Sequence, residues 1–258
     1  MILPLAFVYA ATSLFWQLSN DPLVWRGPVW VGGLLKFALW VPTTLAITMW
    51  RYRSSIAGVF PRLGLGDVPL RGLAWTAAAS LPMVAIAWST PALRVDAGSL
   101  LAHAVLGPVA EEVLYRGFLF QQLWRHARWP WWAAATGSAL VFSLAHQKAL
   151  DEMLFMGVIY GDLPVRLGWL IGPLMTTVAA GWLLAWMTWR WQSLWPAIVA
   201  HGAMNFWWDL APRGTTDTVA GAAQGLAWAG ILAVTWWFTR VRTSGPDAAS
   251  RDGSPHAG

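Results

Sequence analysis

Three charged side chains lie within one hydrophobic run of the sequence, "GPVAEEVLYRGFLFQQL" (Gly107 to Leu123). At the centre of a membrane helix, each charge opposes insertion by about 2.5–3.5 kcal/mol unless it is compensated. Glu112 precedes Arg116 by one helical turn, the favoured order for an ion pair, so we expect this pair to be a supporting structural contact. Glu111 lies about 100° around the helix from Glu112 and points elsewhere, without a cation nearby in the sequence. Glu111 is therefore the carboxylate that indicates a function.

Few other polar side chains interrupt apolar segments, and the informative ones lie on two further predicted helices. The stretch "ALVFSLAHQ" carries His146, with Phe142 one turn earlier. The stretch "LWPAIVAHGAMNFWW" carries His201 and Asn205, whose spacing places them on one helix face. Polar groups inside membrane proteins converge on an interior cavity, so we expect both histidines and the amide to meet Glu111.

This combination of side chains suits the hydrolysis of a peptide bond. A desolvated glutamate takes a proton from water, a neutral histidine holds or relays it, and an amide and a second imidazole donate to the oxyanion. Glu111, His146 and His201 are also a ligand set that catalytic zinc accepts, so a metal-bound water is the competing mechanism. The spacing leaves both mechanisms open.

The segments "EEVLYR", "FSLAH" and "HGAMN" resemble, in that order, the motifs EExxxR, FxxxH and HxxxN of the CPBP intramembrane proteases. This family includes type II CAAX prenyl endopeptidases and bacteriocin-processing relatives. The resemblance implies an eight-helix enzyme in which Glu111 and His146 activate water, while His201 and Asn205 stabilise the oxyanion. It also implies supporting roles for the second glutamate and the arginine of the first motif. Whether such enzymes need zinc has been argued both ways; we favour no cofactor, with zinc as the alternative.

The elements that must position these residues are membrane spans. The chain of 258 residues is 57% hydrophobic and 11% charged and contains 22 tryptophans, which is outside the range of soluble domains. A spanning helix needs about 20 apolar residues. Eight stretches qualify: Ile2–Leu18, Val29–Trp50, Leu70–Thr90, Ser99–Trp124, Trp129–His146, Gly168–Trp189, Ser193–Leu210 and Val219–Phe238. We predict an all-α, polytopic transmembrane bundle of about eight spans, a single protease domain over residues 1–242 with its motif core at 99–210.

The distribution of basic residues predicts the orientation of the bundle. One set of alternating loops carries ten basic residues and the other set five, and Lys and Arg accumulate on the cytoplasmic side. We therefore expect an integral protein of the bacterial inner (plasma) membrane with both termini in the cytoplasm, including a disordered tail at 243–258. The first segment lacks a basic leader region and is expected to be a retained span. Between Lys148 and Gly168, a short interfacial helix and a re-entrant segment both remain open.

Composition also limits the classes of function. The absence of cysteine excludes disulfides, thiolate metal ligands and a cysteine nucleophile. The net charge of +5 is explained by cytoplasmic loops, so we expect no nucleic acid partner. The predicted partners are the lipid bilayer and a membrane-anchored protein or peptide substrate, such as a lipidated C-terminus, a leader peptide or a sorting tail. Two alternatives are a membrane transporter or proton relay, and a noncatalytic family member acting as a scaffold or immunity protein.

Overall fold

The fold is given by a computed structural model, which describes residues 2–19, 29–88, 97–146, 163–210 and 217–240. All regular secondary structure in these ranges is helical, which confirms the all-α class. Apart from α5, which covers residues 97–126, the helices are α1 (Ile2–Ser19), α2 (Val29–Tyr52), α3 (Ile56–Arg62), α4 (Leu70–Trp88), α6 (Trp131–His146), α7 (Leu163–Trp191), α8 (Trp195–Leu210) and α9 (Asp217–Thr239). The tail at 243–258 lies outside the described residues. So does the segment after Lys148, as far as residue 162.

Helix α5, residues 97–126, carries the first motif and alternates between α- and π-helical turns. Its α-helical parts include Gly107–Glu112, and its π-helical parts are Leu101–Leu106, Val113–Phe120 and Gln122–His126. Turns of the π type are rare and are often found at functional sites. Both glutamates lie at the end of the central α-helical part, directly before a π-helical part begins.

The eight apolar stretches in the sequence each coincide with one helix, and α3 is an additional short helix. Among the described residues, Trp30–Tyr52 is the one helical stretch that is long and apolar enough to cross a membrane by length and composition. Ile2–Leu18 and Trp131–Ala145 are apolar but shorter. The number of spans therefore stays a prediction.

Helices α2 and α5 run parallel to each other, side by side. Three contacts follow one another in the same order along both helices: Gly33 with Ala102, Trp40 with Tyr115, and Tyr52 with His126. The first contact is so close that a Cβ atom on Gly33 would lie 2.5 Å from the Cβ atom of Ala102. This close approach brings the middle of α2 against the part of α5 that carries the glutamates.

Two further helices pack against α5 from other sides. On α6, the Ser138 hydroxyl donates to the backbone carbonyl of Tyr115 over 3.0 Å. On α8, Gly202 faces α5 so closely that a methyl group in its place would overlap the carbonyl oxygen of Ala104. The hydrogen bond from the Ser138 hydroxyl and the close contact at Gly202 hold α6 and α8, which carry the second and third motifs, against the helix that carries the first.

Candidate active site

The two glutamates of α5 are both buried, with 3% of Glu111 and none of Glu112 exposed. Glu112 Oε1 accepts a hydrogen bond from Arg116 Nη1 over 2.8 Å, so the ion pair indicated by the one-turn spacing is present. The guanidinium of Arg116 also packs on the ring of Phe142, 4.1 Å from its centroid. Gly181 of α7 lies directly beside the guanidinium, where a larger residue would crowd Nη2. The arginine is thus enclosed by three helices.

His201 of α8 lies between the two glutamates and contacts both. Its Nδ1 is 2.7 Å from Glu112 Oε1, and its Nε2 is 3.4 Å from Glu111 Oε2. The separation of about 100° around the helix predicts different surroundings for the two carboxylates. The structure instead joins them through one imidazole, because the two ring nitrogens point in different directions and reach both carboxylates.

The contact between His201 and Glu112 depends on the tautomer of the imidazole ring. Glu112 Oε1 accepts a hydrogen bond from Arg116, and the tautomer of His201 with its proton on Nδ1 would donate a second one to the same oxygen. In a neutral ring Nε2 is then an acceptor. His201 can donate a hydrogen bond from Nε2 only when both nitrogens carry protons.

Lys36 is a member of this cluster that the sequence analysis did not include. Its ammonium nitrogen lies 2.5 Å from Glu111 Oε1, and its side chain is 17% exposed. The ammonium also lies over the rings of Phe15 and Trp40, 5.2 and 5.3 Å from their centroids. A signal was present in the sequence, since a single lysine interrupts the apolar stretch that forms α2. No spacing rule links it to Glu111, because 75 residues separate the two.

The second and third motifs contribute the remaining predicted site residues. The Phe142 ring meets the His201 ring edge-on, with 6.0 Å between centroids. Asn205, one turn after His201, donates from Nδ2 to the backbone carbonyl of His103 over 3.0 Å. Its amide carries a second proton that this bond does not use. His146 is the last residue of α6, and its side chain lies outside the described residues. Its meeting with Glu111 stays a prediction.

A cavity of about 510 Å³ adjoins this cluster. His201, Asn205 and Phe142 form part of its wall. Helices α7 and α9 contribute the apolar residues Ala179, Ala180, Leu183, Leu184 and Trp228, together with the polar residues Thr176, Thr177 and Gln224. A cavity of this size and lining suits an apolar chain segment presented to a few polar groups.

The described residues do not by themselves make up a zinc site. No group of three or more histidine, aspartate or glutamate side chains among them is placed to hold a metal ion. Glu111 Oε2 and His201 Nε2 are the two candidate ligand atoms, and catalytic zinc takes three protein ligands. The third member of the set, His146, has its side chain outside the described part of the chain. Meanwhile the Lys36 ammonium already places a positive charge on the other oxygen of Glu111.

Residues 93–207 match a family model described as type II CAAX prenyl endopeptidase, Rce1-like. The matched region contains all three motifs in order. Over these residues, which are less than half of the chain, the protein is similar to the CAAX protease family. This family consists of membrane-embedded endopeptidases, so the match supports a membrane protease in general terms. The comparison with curated proteins found no match, and neither did the comparison with solved structures.

The extent of the match separates a family-matched region from the helices outside it. The family-matched region, residues 93–207, includes α5, α6, α7 and most of α8. Helices α1 and α2, which we call the N-terminal pair, lie outside it. Lys36 therefore reaches the motif glutamate from a part of the chain that the family model does not describe.

Proposed function

We propose that this protein is an intramembrane endopeptidase that hydrolyses a peptide bond with water activated by Glu111. The observation that carries the proposal is the buried carboxylate of Glu111, held between the Lys36 ammonium and the His201 imidazole. A carboxylate in this setting keeps one oxygen, Oε2, directed at His201, which itself lines the cavity. The similarity of residues 93–207 to the CAAX protease family supports the same class of reaction.

In the proposed reaction Glu111 acts as general base and His146 helps to hold the water. The water oxygen attacks the carbonyl carbon of the substrate as Glu111 takes its proton. The tetrahedral intermediate then collapses, the carbon–nitrogen bond breaks, and Glu111 returns the proton to the leaving amine. Glu112, Arg116 and Phe142 touch His201 or one another, so we assign them supporting roles.

His201 and Asn205 are the proposed donors to the oxyanion. Both line the cavity, and Asn205 retains one amide proton beyond its bond to His103. With Nδ1 of His201 as the donor to Glu112, donation from Nε2 requires the doubly protonated ring. The role assigned to His201 therefore depends on its protonation state, whereas that of Asn205 does not.

We favour a mechanism without a metal, because Lys36 already supplies a fixed cation beside Glu111. In the alternative mechanism Glu111, His146 and His201 would hold zinc, which would polarise the attacking water. In both mechanisms the chain must place Glu111 and His201 in the same positions beside the cavity.

We further propose that the bundle crosses the membrane eight times with both termini in the cytoplasm. Large apolar side chains cover outer faces of the bundle, among them Trp50, Trp75 and Trp236, which are more than half exposed. An apolar surface of this kind suits contact with lipid. The parallel course of α2 and α5 brings their last turns together, at Tyr52 and His126, in the loops that the count of basic residues assigns to the cytoplasm.

This topology is tested with reporter fusions. Fusions after Arg53 and Arg242 should report the cytoplasm, and fusions after Arg94 and Lys148 should report the opposite side. A fusion that reports the other compartment would contradict the eight-span arrangement without touching the proposed chemistry.

The proposed substrate is a membrane-anchored or hydrophobic protein segment, such as a lipidated C-terminus, a leader peptide or a sorting tail. The apolar residues that α7 and α9 contribute to the cavity support this class. The experiment compares cells that produce the wild-type protein with cells that produce Glu111→Gln, and measures the termini of membrane proteins by mass spectrometry. Termini that appear with the wild type alone support the proposal. Unchanged termini together with a changed ion gradient would favour the transporter instead.

A further inference from the structure

Lys36 has no counterpart among the three motifs, yet its ammonium is bound to the motif carboxylate. We propose that Lys36 is a positioning residue for the hydrolysis: it holds Oε1 of Glu111 so that Oε2 remains directed at the water and His201. The inference rests on the proposed function, because it assigns a task to Lys36 only if Glu111 activates water. It adds to that function a residue from the N-terminal pair.

The position of Lys36 is costly unless the ammonium has a partner. A lysine near the centre of a membrane helix opposes insertion, and long lysine side chains usually extend toward the membrane surface instead. Lys36 extends to Glu111 and is largely covered, with 17% of its side chain exposed. The rings of Phe15 and Trp40 lie next to the ammonium and limit where it can move. The ammonium is therefore a fixed point and not a mobile counter-ion.

Contacts on both sides of Lys36 hold its helix, α2, against α5 and α1. Gly33 allows α2 to approach α5 at Ala102, one turn before Lys36. The Trp40 ring nitrogen donates to the carbonyl of Ala11 over 3.0 Å, which ties α2 to α1. The Phe15 and Trp40 rings meet edge-on, 5.4 Å between centroids. These contacts fix α2 against α5 and against α1. The position of the Lys36 ammonium beside Glu111 is therefore set by the packing of α2 as well as by the lysine side chain.

The ion pair gives the two oxygens of Glu111 different tasks. Oε1 is bound to Lys36, and Oε2 lies 3.4 Å from His201 Nε2. A carboxylate held at one oxygen cannot rotate freely, so the lone pairs of the other oxygen keep a constant direction. Placement of a reacting group is sensitive to such restraint, since an error of about 1 Å can cost about a hundredfold in rate. Lys36 thus acts on the reaction through Glu111 and does not itself touch the substrate.

If the ion pair between Lys36 and Glu111 had a purely structural role, its loss would affect folding but not the rate of the reaction. In that case Lys36→Met would lower the amount of folded protein, but each folded molecule would turn over at the wild-type rate. The measurement is therefore kcat per folded molecule, with folded protein counted by size-exclusion chromatography in detergent. The substrate is a membrane peptide that the wild type cleaves and Glu111→Gln does not.

For a positioning role we expect Lys36→Met to lower kcat about 30- to 100-fold with KM changed less than about threefold. Lys36→Arg, which keeps the charge, should retain at least about a third of the wild-type kcat. Leu34→Met is the matched control, because it introduces the same side chain on the same helix at an exposed position, and it should behave as wild type. If Lys36→Met does not accumulate, Lys36→Gln replaces it, with an expected loss of about tenfold, since its amide still donates to Glu111.

The double variant Lys36→Met/Glu111→Gln tests whether the pair exists in the folded protein. It should be more resistant to heat than Lys36→Met alone, because it leaves no buried carboxylate without its cation. A wild-type kcat for folded Lys36→Met, or for Lys36→Gln, would overturn the inference while leaving Glu111 as the base. Full activity of Glu111→Gln would instead overturn the proposed function, which is a separate outcome.

Discussion

The family-matched region and the N-terminal pair contribute to the same carboxylate by different means. The family-matched region supplies Glu111 and also His201, which contacts it. Both residues belong to the motifs, so the motifs predict this part of the site. The N-terminal pair supplies one cation, the ammonium of Lys36, which lies 2.5 Å from Glu111 Oε1. Lys36 belongs to none of the three motifs. The difference teaches that a site defined by family motifs can be completed by a residue that the motifs do not include.

The largest effect should come from the family-matched region. Glu111→Gln is nearly isosteric and still offers a carbonyl oxygen to Lys36, but it cannot accept a proton from water. We expect kcat to fall by about 10²–10⁴-fold or more while the protein still folds. Single-turnover cleavage by purified protein in detergent measures this. Wild-type cleavage by the variant would show that Glu111 is not the general base. Lys36 would then have no catalytic carboxylate to position.

The next effect concerns the other glutamate of the same region. Glu112→Gln leaves Arg116, which is fully buried, without its counter-charge and weakens the bond to His201 Nδ1. We expect the free energy of unfolding to fall by about 3–5 kcal/mol and the yield to fall with it. Thermal denaturation in detergent measures the loss. An equally stable variant would show that Arg116 finds compensation elsewhere, and the supporting role of Glu112 would have to be revised.

A smaller effect on stability and kcat should come from the N-terminal pair. Two neighbouring glycines allow the same substitution to be made with and without a clash between α2 and α5. Gly33→Ala forces a methyl group against Ala102 and moves α2 away from α5, whereas Gly32 has open space around it. We expect Gly33→Ala to cost about 1–3 kcal/mol of stability and to lower kcat, since Lys36 moves with the helix. Gly32→Ala should be neutral or stabilising by about 0.5–1 kcal/mol. Equal behaviour of the two variants would contradict the close approach on which the placement of Lys36 depends.

The smallest effect is expected on removal of metal. Because Lys36 supplies the cation beside Glu111, we expect strong chelators to leave kcat unchanged and purified active protein to contain less than stoichiometric zinc. Elemental analysis and cleavage assays before and after chelation measure both quantities. Stoichiometric zinc that is lost on mutating His146 would replace the glutamate mechanism, and Lys36 would then need a different explanation.

Sequence reasoning was strongest where a rule links residues that are close in the chain. One-turn spacing gave the Glu112–Arg116 pair, and hydrophobic stretches gave the positions of the long helices within a few residues. The three motifs brought Glu111 and His201 into one prediction although 90 residues separate them in the sequence, because a known family supplied the link. The helix ends were less accurate, since α7 begins at Leu163 and was expected from Gly168.

Two features of the site could not be predicted from spacing: the contact between Lys36 and Glu111, and the position of His201 between the two glutamates. The contact between Lys36 and Glu111 depends on which helices are neighbours, and hydropathy does not encode helix neighbours. The bridging position of His201 depends on the rotation of α8 against α5, which the close contact at Gly202 sets. A lone lysine in an apolar stretch was nevertheless a usable signal. It indicates that the ammonium either extends to the membrane surface or pairs with a buried acid elsewhere in the chain.

The separation of 75 residues between Lys36 and Glu111 has a consequence for how the protein is made. A ribosome adds about 5–20 residues per second, so α2 leaves it about 4–15 s before its counter-ion exists. During that interval a helix carrying an uncompensated lysine must remain at the insertion machinery or keep its charge near the membrane surface. Glu111 brings the same difficulty on α5, and each charge relieves the other when the two helices meet. In the proposed eight-span arrangement, the ion pair therefore makes the membrane insertion of two helices that are not adjacent in sequence depend on their association, late in biosynthesis.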